Sequence, residues 1–540
     1  MIDLVTPEFM CAVLVCLVAA LLLFGFPVAF TLAGSSLIIA AAGSFLGAID
    51  WSIMKAFPQR IFGIMTNEVL IAVPLFVFMG VMLERSKLAE ELLENMARLF
   101  GSKPGGIAYA VCIVGALLAA STGIVGATVV TMGLLSLPIM IRRGYDPSFS
   151  CGVIAASGTL GQIIPPSIIL VILGDQLSVA YQNAQFEQGI FSPDTVSVNE
   201  LFAGALLPGI LLVGLYMLYV FVRTLINPSI APPIPAEKLG GDEENFLLKL
   251  LGSLIPPIFL IVAVLGSILA GIASPTEAAA MGGGGAILLA SYRLNPATQK
   301  LMFAGVTSFG VMVTLALGFD LRSQRDVVTT QDWVAISIAL VAAAVFAVAL
   351  LTAVRTTYKV RSDNGIRVLS QVMRSTMSIS SMVFVILIGA AMFSLVFRGF
   401  GGDEIIKEWL HSLPGGTLSA VIVVMLMMFF LGFFLDYLEI VFIVVPIVAP
   451  VLLQMEVAPG VLMSPVWLGI MMGLNLQTSY LTPPFGYALF FLRGVAPDTI
   501  KTTQIYKGVI PFVMIQLFCL AILWFFPNLA IWLPDTIYGD

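Results

Sequence analysis

Residues 157–166 read SGTLGQIIPP, and residues 475–484 read NLQTSYLTPP. Both stretches place a small or polar residue, a second polar residue two positions later and then a Pro-Pro pair inside an apolar segment. Two adjacent prolines remove two backbone donors from a helix and leave carbonyl groups one turn upstream without partners. Bare carbonyls are costly in hydrocarbon unless something binds them. Each stretch therefore predicts an unwound point in a helix.

The surrounding composition shows which solvent these helices meet. Of the 540 residues 59% are hydrophobic and only 10% are charged, and the mean hydropathy is +1.05. A soluble chain carries about 25% charged residues, so this one lacks the polar surface to face water. The apolar runs are long and continuous, which excludes the alternating strands of a membrane β-barrel. We predict an all-α protein that crosses the membrane many times.

The same counts exclude several classes of function. The single histidine, His411, rules out His-based catalytic triads, His metal sites and haem ligation. A net charge of −6 with no basic block argues against nucleic acid as a partner. Asp3 and Glu8 precede the first apolar run, which is not the pattern of a cleaved signal peptide. The cysteines form no CxxC pair and are interpreted as small hydrophobes: Cys11, Cys16, Cys112, Cys151 and Cys519.

Windows of about 20 apolar residues predict the membrane helices. The first lies at 9–47 and is either one long helix or two short ones around Pro27. The others are predicted at 62–83, 147–174, 201–222, 247–271, 276–292, 301–319, 333–354, 375–397, 463–492 and 508–531.

Two further apolar segments, 105–141 and 415–455, are each about twice the length of one span and are interrupted in the middle. The first interruption is Ser121-Thr122-Gly123, and the second lies around 432–436. A short charged stretch precedes each segment, at 84–100 and 403–411, and such stretches suit helices that lie in the membrane interface. We predict that both segments are re-entrant hairpins.

The distribution of Lys and Arg supports that prediction. With two hairpins, 19 of the 25 basic residues fall on one face, which the positive-inside rule makes cytoplasmic. The first hairpin then enters from the cytoplasm and the second from outside. Two halves of like design and opposite orientation indicate an inverted-repeat transporter. The opposite face holds Lys55, Arg60, Arg322, Arg325, Arg398 and Lys407.

Unpaired carbonyls, hydroxyl groups and a hairpin tip together suit a hard monovalent cation, and sodium fits such oxygens better than Zn²⁺ does. The alternative is that prolines and small residues only allow close packing of helices. Two matching motifs at matching distances from two matching breaks favour paired ion sites.

These residues resemble the large membrane subunit of tripartite ATP-independent periplasmic (TRAP) transporters. The resemblance covers most of the chain and rests on ASTGIVGA at 120–127, GTLGQIIPPS at 158–167, SPTEAAA at 274–280, LGFFLD at 431–436 and LTPPFG at 481–486. It implies a sodium-driven elevator importer in a bacterial inner membrane, with Na⁺ as coupling ion and no cofactor. It also implies a periplasmic substrate-binding protein, a small four-helix membrane subunit encoded separately, and a small carboxylate such as a C4-dicarboxylate, a 2-oxo acid or a sugar acid as solute.

The resemblance also implies site residues. The first sodium site would be formed by Ser121, Thr122, Gly161, Ile164 and Pro166, and the second by Gly432, Ser479, Thr482 and Phe485. Substrate would lie between the hairpin tips, near Gly123, Gly158, Thr159, Asn475, Gln477 and Thr478. Tyr437 and Glu439 at the second tip depart from the family pattern, as does an insertion at about 295–365 that carries the extra helical pair 301–354.

The resulting organisation has six parts. The first two are 1–104, with scaffold helices and the first interfacial arm, and 105–222, with the first hairpin and broken helix. A cytoplasmic linker, 223–246, leads to 247–400, with second-half scaffold helices. The last two are 401–507, with the second arm, hairpin and broken helix, and 508–540, the C-terminal helix.

Asp436 and Glu439 stand in an apolar stretch, where carboxylates are usually functional. They are candidates for attracting sodium or carrying protons, or they are ordinary acids at a water-exposed tip. Glu277 is interpreted as a helix cap after Ser274. Three other functions stay open. The first is a carboxylate transporter that is coupled to protons or sodium and works without a binding protein. The others are an intramembrane enzyme that uses Asp436 and Glu439, and an ion channel.

Overall fold

The computed structural model describes residues 6–233, 243–322, 329–362 and 365–539. Side chains are described throughout these ranges except at 121, 122, 243–245, 247 and 248. Part of the predicted linker 223–246 therefore lies outside the described residues.

The first half of the chain contains ten α-helices. They are α1 (Pro7–Leu23), α2 (Val28–Phe45), α3 (Phe57–Met65), α4 (Glu68–Arg85), α5 (Leu88–Phe100), α6 (Gly106–Thr122), α7 (Val125–Arg142), α8 (Pro147–Thr159), α9 (Ile168–Glu187) and α10 (Val198–Ile226).

The described residues of the second half form twelve more α-helices and one small antiparallel sheet. The helices are α11 (Glu243–Leu269), α12 (Pro275–Leu294), α13 (Gln299–Gly318), α14 (Thr330–Lys359), α15 (Val368–Gly399), α16 (Gly402–His411), α17 (Gly416–Leu431), α18 (Tyr437–Leu452), α19 (Pro465–Leu481), α20 (Tyr487–Val495), α21 (Thr502–Phe525) and α22 (Asn528–Tyr538). The strands are β1 (Glu456–Ala458) and β2 (Val461–Leu462).

Within the described ranges, eight helices are long and apolar enough to cross a membrane, and the bent pair formed by Trp51–Met65 and Glu68–Arg85 would make a ninth. The bend between the two parts of that pair is 50°. Local sequence explains several helix starts. The α12 helix begins with a reciprocal capping box in which Ser274 and Glu277 bond each other's backbone N–H groups, so the capping role predicted for Glu277 is confirmed.

The helix contacts between the two halves come in equivalent pairs, in which each half contributes the helix that the other half contributes in the partner contact. The α12 helix packs on α4 while α2 packs on α15, and α9 packs on α18 while α7 packs on α20. The α4 and α15 helices also contact each other. A two-fold relation between the repeats produces this exchange, with α4 and α15 nearest the axis. The prediction of an all-α membrane protein built from inverted repeats is confirmed.

The two predicted hairpins are antiparallel helix pairs that double back. The N–H of Ile107 at the start of α6 donates to the Tyr145 hydroxyl just after α7, at 3.2 Å. The Thr417 hydroxyl at the start of α17 donates to the Glu456 carbonyl just after α18, at 2.6 Å. The chain therefore leaves each pair beside the point where it entered. That neither pair reaches the far membrane face stays a prediction, as does the orientation of the chain.

The structure differs from the predicted helices in five places. The window 62–83 covers the end of α3 and most of α4, which are separated by a bent break at Thr66 and Asn67. The window 147–174 contains two helices, α8 and α9, and the window 463–492 also contains two, α19 and α20. In each window a Pro-Pro pair lies between the two helices and interrupts them. The stretch 175–187, predicted as part of a loop, continues α9. The predicted C-terminal helix is also two helices, α21 and α22. The extra pair α13 and α14 packs on itself and on α12, and it leaves wide apolar faces exposed.

Candidate functional site

Each Pro-Pro motif follows the end of a helix and separates it from the next one. The α8 helix ends at Thr159, a short 3-10 turn follows at Leu160–Gln162, and α9 begins only at Ile168. In the second half α19 ends at Leu481 and α20 begins at Tyr487. Both Pro-Pro peptide bonds are cis. The expected unwinding is present in both repeats.

The two broken helices meet through equivalent residues. The Nε2 group of Gln477 donates to Thr159 Oγ1 at 3.3 Å, and both side chains are fully buried. The 318 residues that separate these two positions also separate Pro165 from Pro483. This hydrogen bond therefore joins matching points of the two repeats and lies at the centre of the predicted site.

The first hairpin tip is closely packed against the broken segment of its own repeat. Gly123 adopts a left-handed conformation, with φ of +60°, and its N–H donates to the Ala119 carbonyl. A Cβ on Gly161 would lie 2.9 Å from that same carbonyl oxygen, and one on Gly158 would lie 2.3 Å from Val129 Cγ2. These positions are limited to glycine because the helices touch there.

The other residues predicted for the first sodium site lie on α6 and in the segment between α8 and α9. Ser121 and Thr122 form the last turn of α6, but their side chains lie outside the described part of the structure. Ile164 packs against Gly209 of α10. Pro166 is buried in the extended segment before α9.

The second tip repeats the arrangement with different side chains. A Cβ on Gly432 would lie 2.2 Å from Ser479 Oγ, and Ser479 occupies the position equivalent to Gly161. Asn475 Nδ2 donates to the Met425 carbonyl of α17 at 2.8 Å. The Phe485 ring is 43% exposed and packs on other aromatic rings at the tip.

The hydroxyl groups of the second motif bond within their own helix. Thr478 donates to Leu474 O, Ser479 donates to Leu476 O, and Thr482 donates to Thr478 O. The lone pairs of these hydroxyl oxygens stay available to a cation.

Asp436 and Glu439 form a capping box at the start of α18. The N–H of Tyr437 donates to Asp436 Oδ1 at 2.7 Å, and the N–H of Asp436 donates to Glu439 Oε2 at 2.9 Å. Glu439 is only 8% exposed, which is not the environment of an ordinary water-exposed acid. The Tyr480 hydroxyl also accepts the N–H of Tyr437, at 3.0 Å.

Sequence reasoning missed Gln162. This side chain is fully buried, and neither of its amide atoms has a hydrogen-bond partner. It occupies the position equivalent to Tyr480, which contacts the second tip. Its position directly after Gly161 in the repeated motif is the sequence feature that could have identified it.

Among the described residues, no group of three or more His, Cys, Asp or Glu side chains is arranged to hold a metal ion.

A second polar feature lies at the expected outer surface, between α9, α15, α16 and α18. It is a crevice of about 210 Å³. Lys407 of α16 pairs with Glu187 of α9 at 2.8 Å, and Arg398 pairs with Asp403 at 3.1 Å. Partial burial alone would raise the pKa of Glu187, but hydrogen bonds from Lys407 and Gln454 outweigh it and lower the pKa. Burial raises the pKa of Asp403.

Two inverted repeats, each with a doubled-back helix pair and a broken helix that meets its counterpart at a buried polar centre, define a membrane transporter of the inverted-repeat class. The family profile described as tripartite ATP-independent periplasmic transporter, DctM component, matches this chain over residues 15–350 and 293–529. The chain belongs to this family and is a multi-pass protein of the inner membrane. It is therefore a transport protein, and the intramembrane enzyme hypothesis is set aside.

Relatives match the chain over nearly its whole length. The C4-dicarboxylate TRAP transporter large permease protein DctM of Vibrio cholerae is 25% identical over 98% of both chains. The ectoine TRAP transporter large permease protein TeaC of Halomonas elongata is 25% identical over 98% of this chain and 100% of its own. The solved YdaH transporter of Alcanivorax borkumensis superposes with a TM-score of 0.51 at 15% identity, covering 88% of this chain and 87% of that one, and shows a shared fold.

Proposed function

We propose that this chain imports a small carboxylate, such as a C4-dicarboxylate, a 2-oxo acid or a related organic acid, on a sodium gradient. A periplasmic binding protein delivers the solute, and a small four-helix membrane subunit supports the scaffold. The observation that carries the proposal is the buried contact between Thr159 and Gln477, where two broken helices meet. Family membership supports both partners, because relatives are named as large permease proteins of such transporters.

Sodium coupling is supported by the oxygen atoms around the two breaks. Proline at 165 removes the helical donor for the carbonyl of Gly161. Proline at 166 removes that of Gln162, whose carbonyl accepts the Ser167 hydroxyl and keeps one lone pair. In the second repeat the Ser479 hydroxyl lies beside the tip at Gly432, and the Thr482 hydroxyl follows at the end of the same helix, where it donates to the Thr478 carbonyl. Such neutral oxygens are the ligands that a hard monovalent cation takes.

An anionic solute is supported by helix N-termini that carry no side-chain cap. The α7 helix follows Ile124 and the α20 helix follows Gly486, neither of which has a side-chain acceptor. The α9 helix follows Ser167, whose hydroxyl donates to the Gln162 carbonyl. Uncapped N–H groups at the positive end of a helix dipole attract carboxylates.

Sodium coupling is tested by reconstituting the chain with its small subunit and binding protein in proteoliposomes. Uptake of labelled acid should stop when the sodium gradient is collapsed or when potassium or choline replaces sodium. Unchanged uptake under those conditions contradicts the proposal. Uptake that persists without the binding protein would instead support the alternative of a transporter that works alone.

A matched pair of serines tests the second ion site. Ser479 and Ser419 each donate to the carbonyl three residues earlier, at 2.8 Å, but only Ser479 lies at the tip. Ser479→Ala should raise the sodium concentration for half-maximal uptake by about tenfold, as expected for one lost ligand oxygen at a charged partner. Ser419→Ala should leave it unchanged, and equal effects of the two changes would remove Ser479 from the site.

For the mechanism we propose an elevator in which α6–α9 and α17–α20 slide as one unit against α4 and α12. Two hydrogen bonds cross that interface near the ends of α4. Asn67 Nδ2 donates to Asp175 Oδ1 of α9 at 2.7 Å, and the Thr131 hydroxyl of α7 donates to Glu84 Oε1 at 3.3 Å. A crosslink between α4 and α9 should abolish uptake, and continued turnover of the crosslinked protein would reject the elevator.

A further inference from the structure

The two hairpin tips have opposite electrostatic character. At the second tip the protein's own carboxylates, Asp436 and Glu439, occupy the start of α18. At the first tip α7 begins after Ile124 and has no acidic residue in its first turn. Among the described side chains, none caps the positive end of the α7 dipole, which can therefore attract an anion, while the second tip presents two acids.

Gln162 extends the positive character of the first tip. Its equivalent, Tyr480, bonds the N–H of Tyr437, which is the first residue of α18. The two-fold relation therefore places Gln162 beside Val125, the first residue of α7. The turn Leu160–Gln162 packs on both α6 and α7, which agrees with that placement. Neither amide atom of Gln162 has a partner, so its N–H₂ group is free to donate to a carboxylate beside the N–H groups of α7.

Gln477 supplies an acceptor between the tips. The single proton of the Thr159 hydroxyl goes to the Ala156 carbonyl at 2.8 Å. Gln477 must therefore present its N–H₂ group to Thr159, which leaves Gln477 Oε1 fully buried and without a donor. An unpartnered buried acceptor at the centre of a site calls for an N–H or O–H group on the ligand.

Resting on the proposed function, we propose that the solute is a zwitterionic acid held between the tips. Its carboxylate binds Gln162 and the N-terminus of α7, and its cationic nitrogen faces Gln477 Oε1 and the carboxylates of Asp436 and Glu439. Gln162 and Tyr480 each lie three residues beyond the Thr159–Gln477 contact, which is about 5 Å of helix on either side. The two charged ends are then roughly 5–10 Å apart.

A dicarboxylate fits this arrangement poorly. Its second carboxylate would meet two buried acids, Asp436 and Glu439, instead of a cationic or hydrogen-bond-donating partner. A monocarboxylate with an apolar tail avoids the repulsion but leaves Gln477 Oε1 unpartnered. The structure therefore ranks a zwitterion first, a monocarboxylate second and a dicarboxylate third.

Three four-carbon acids that share one carboxylate test this ranking. They are 4-aminobutyrate, butyrate and succinate, which end in an ammonium, a methyl and a second carboxylate. Dissociation constants are measured by calorimetry on the full chain with its small subunit in nanodiscs, in sodium buffer. We expect 4-aminobutyrate to bind about tenfold or more tightly than butyrate, the effect of one charge-assisted contact, and succinate to bind most weakly. Succinate binding as tightly as 4-aminobutyrate, or no binding of 4-aminobutyrate, overturns the proposal.

Two variants test which protein groups contact the cationic nitrogen and which contact the carboxylate of the solute. Glu439→Gln keeps an oxygen that accepts the N–H of Asp436, so the cap of α18 survives while the charge is lost. It should weaken 4-aminobutyrate binding about tenfold and leave butyrate binding unchanged. Gln162→Leu should weaken all three acids alike. The exposed Glu456 gives the control Glu456→Gln, which should change nothing.

The remaining outcomes separate this inference from the proposed function. A Glu439→Gln change that shifts the sodium dependence but not the ranking of the acids would assign the carboxylates to the ion and overturn the zwitterion. Sodium-driven uptake of succinate would uphold the proposed function and overturn this inference. Binding of 4-aminobutyrate without any sodium effect would uphold the inference and count against sodium coupling.

Discussion

Replacing Asn67 by serine should release α9 from α4 without damaging either helix. Asn67 makes two hydrogen bonds: its Nδ2 group donates to Asp175 Oδ1, and its Oδ1 atom accepts the N–H of Val69 and caps α4. Serine is also a good N-cap, but its hydroxyl is too short to reach Asp175. The substitution Asn67→Ser therefore removes only the bond between the helices.

The size of the effect follows from the geometry of that bond. A hydrogen bond to a charged acceptor contributes about 1.5–3 kcal/mol, and the 2.7 Å distance is short. Asp175 keeps its bond to Gln176 at 3.0 Å, so the lower limit applies. If the bond exists in only one of two conformations, its loss changes the ratio of their populations by about tenfold.

Spin labels on the two helices measure that ratio. Ile71 of α4 and Val179 of α9 are 46% and 54% exposed and accept labels after substitution by cysteine. Double electron–electron resonance then gives the populations of the two α4–α9 distances. Asn95→Ser is the control, because Asn95 Nδ2 donates to Ser253 of α11 and not across the proposed sliding interface. A ratio that Asn67→Ser leaves unchanged, or that both variants change alike, would refute the reasoning.

Gly508→Ala should lower the melting temperature of the purified protein, because its Cβ would lie 1.9 Å from a backbone oxygen of α8 and overpacking costs about 1–3 kcal/mol. Gly214→Ala meets no atom within 4 Å and should be neutral or slightly stabilising, so equal melting temperatures of the two variants would contradict the packing argument. Glu187→Gln should destabilise the protein at neutral pH by less than about 1 kcal/mol, since the pair with Lys407 is partly exposed. Because folding lowers the pKa of Glu187, this contribution is present above the unfolded pKa of about 4.3 and lost as the pH falls through the lowered folded value. Thermal melts of both proteins across acid pH should therefore converge, and a difference that grows in acid would count against the pair.

Much of the architecture follows from sequence because the bilayer fixes the length of an apolar helix. The hairpins were also predictable, since each apolar segment is too long for one span and is broken by small or polar residues. The window 147–174 merged two helices because apolar residues continue through the break at Pro165. The helical stretch 175–187 was missed for the opposite reason. Asp175 and its polar neighbours lower the hydropathy there, although nothing in the stretch prevents a helix.

The centre of the site was predictable only in part. The resemblance to the TRAP family implied that Thr159 and Gln477 belong to one substrate site, and the structure brings the two side chains into contact. The spacing of Asp436 and Glu439 is that of a capping box, so that signal was present in the sequence. Gln162 was missed because a sequence does not show which buried amide lacks a partner. That property depends on how α6, α7 and α9 pack around it.

The contact between Thr159 and Gln477 has a consequence for how such a molecule diverges after gene duplication. If the two repeats were identical, the two-fold axis would bring the same residue type to this contact from both repeats. Such a molecule would be the same in either orientation across the membrane. Thr159 and Gln477 are instead an unequal pair. The Thr159 hydroxyl donates its only proton to a carbonyl of its own helix, and Gln477 Oε1 has no donor. Substitutions at these two positions should therefore be inherited jointly, because each side chain is a hydrogen-bond partner of the other. At this contact the two repeats are no longer interchangeable, and the direction of the chain through the site acquires a chemical meaning.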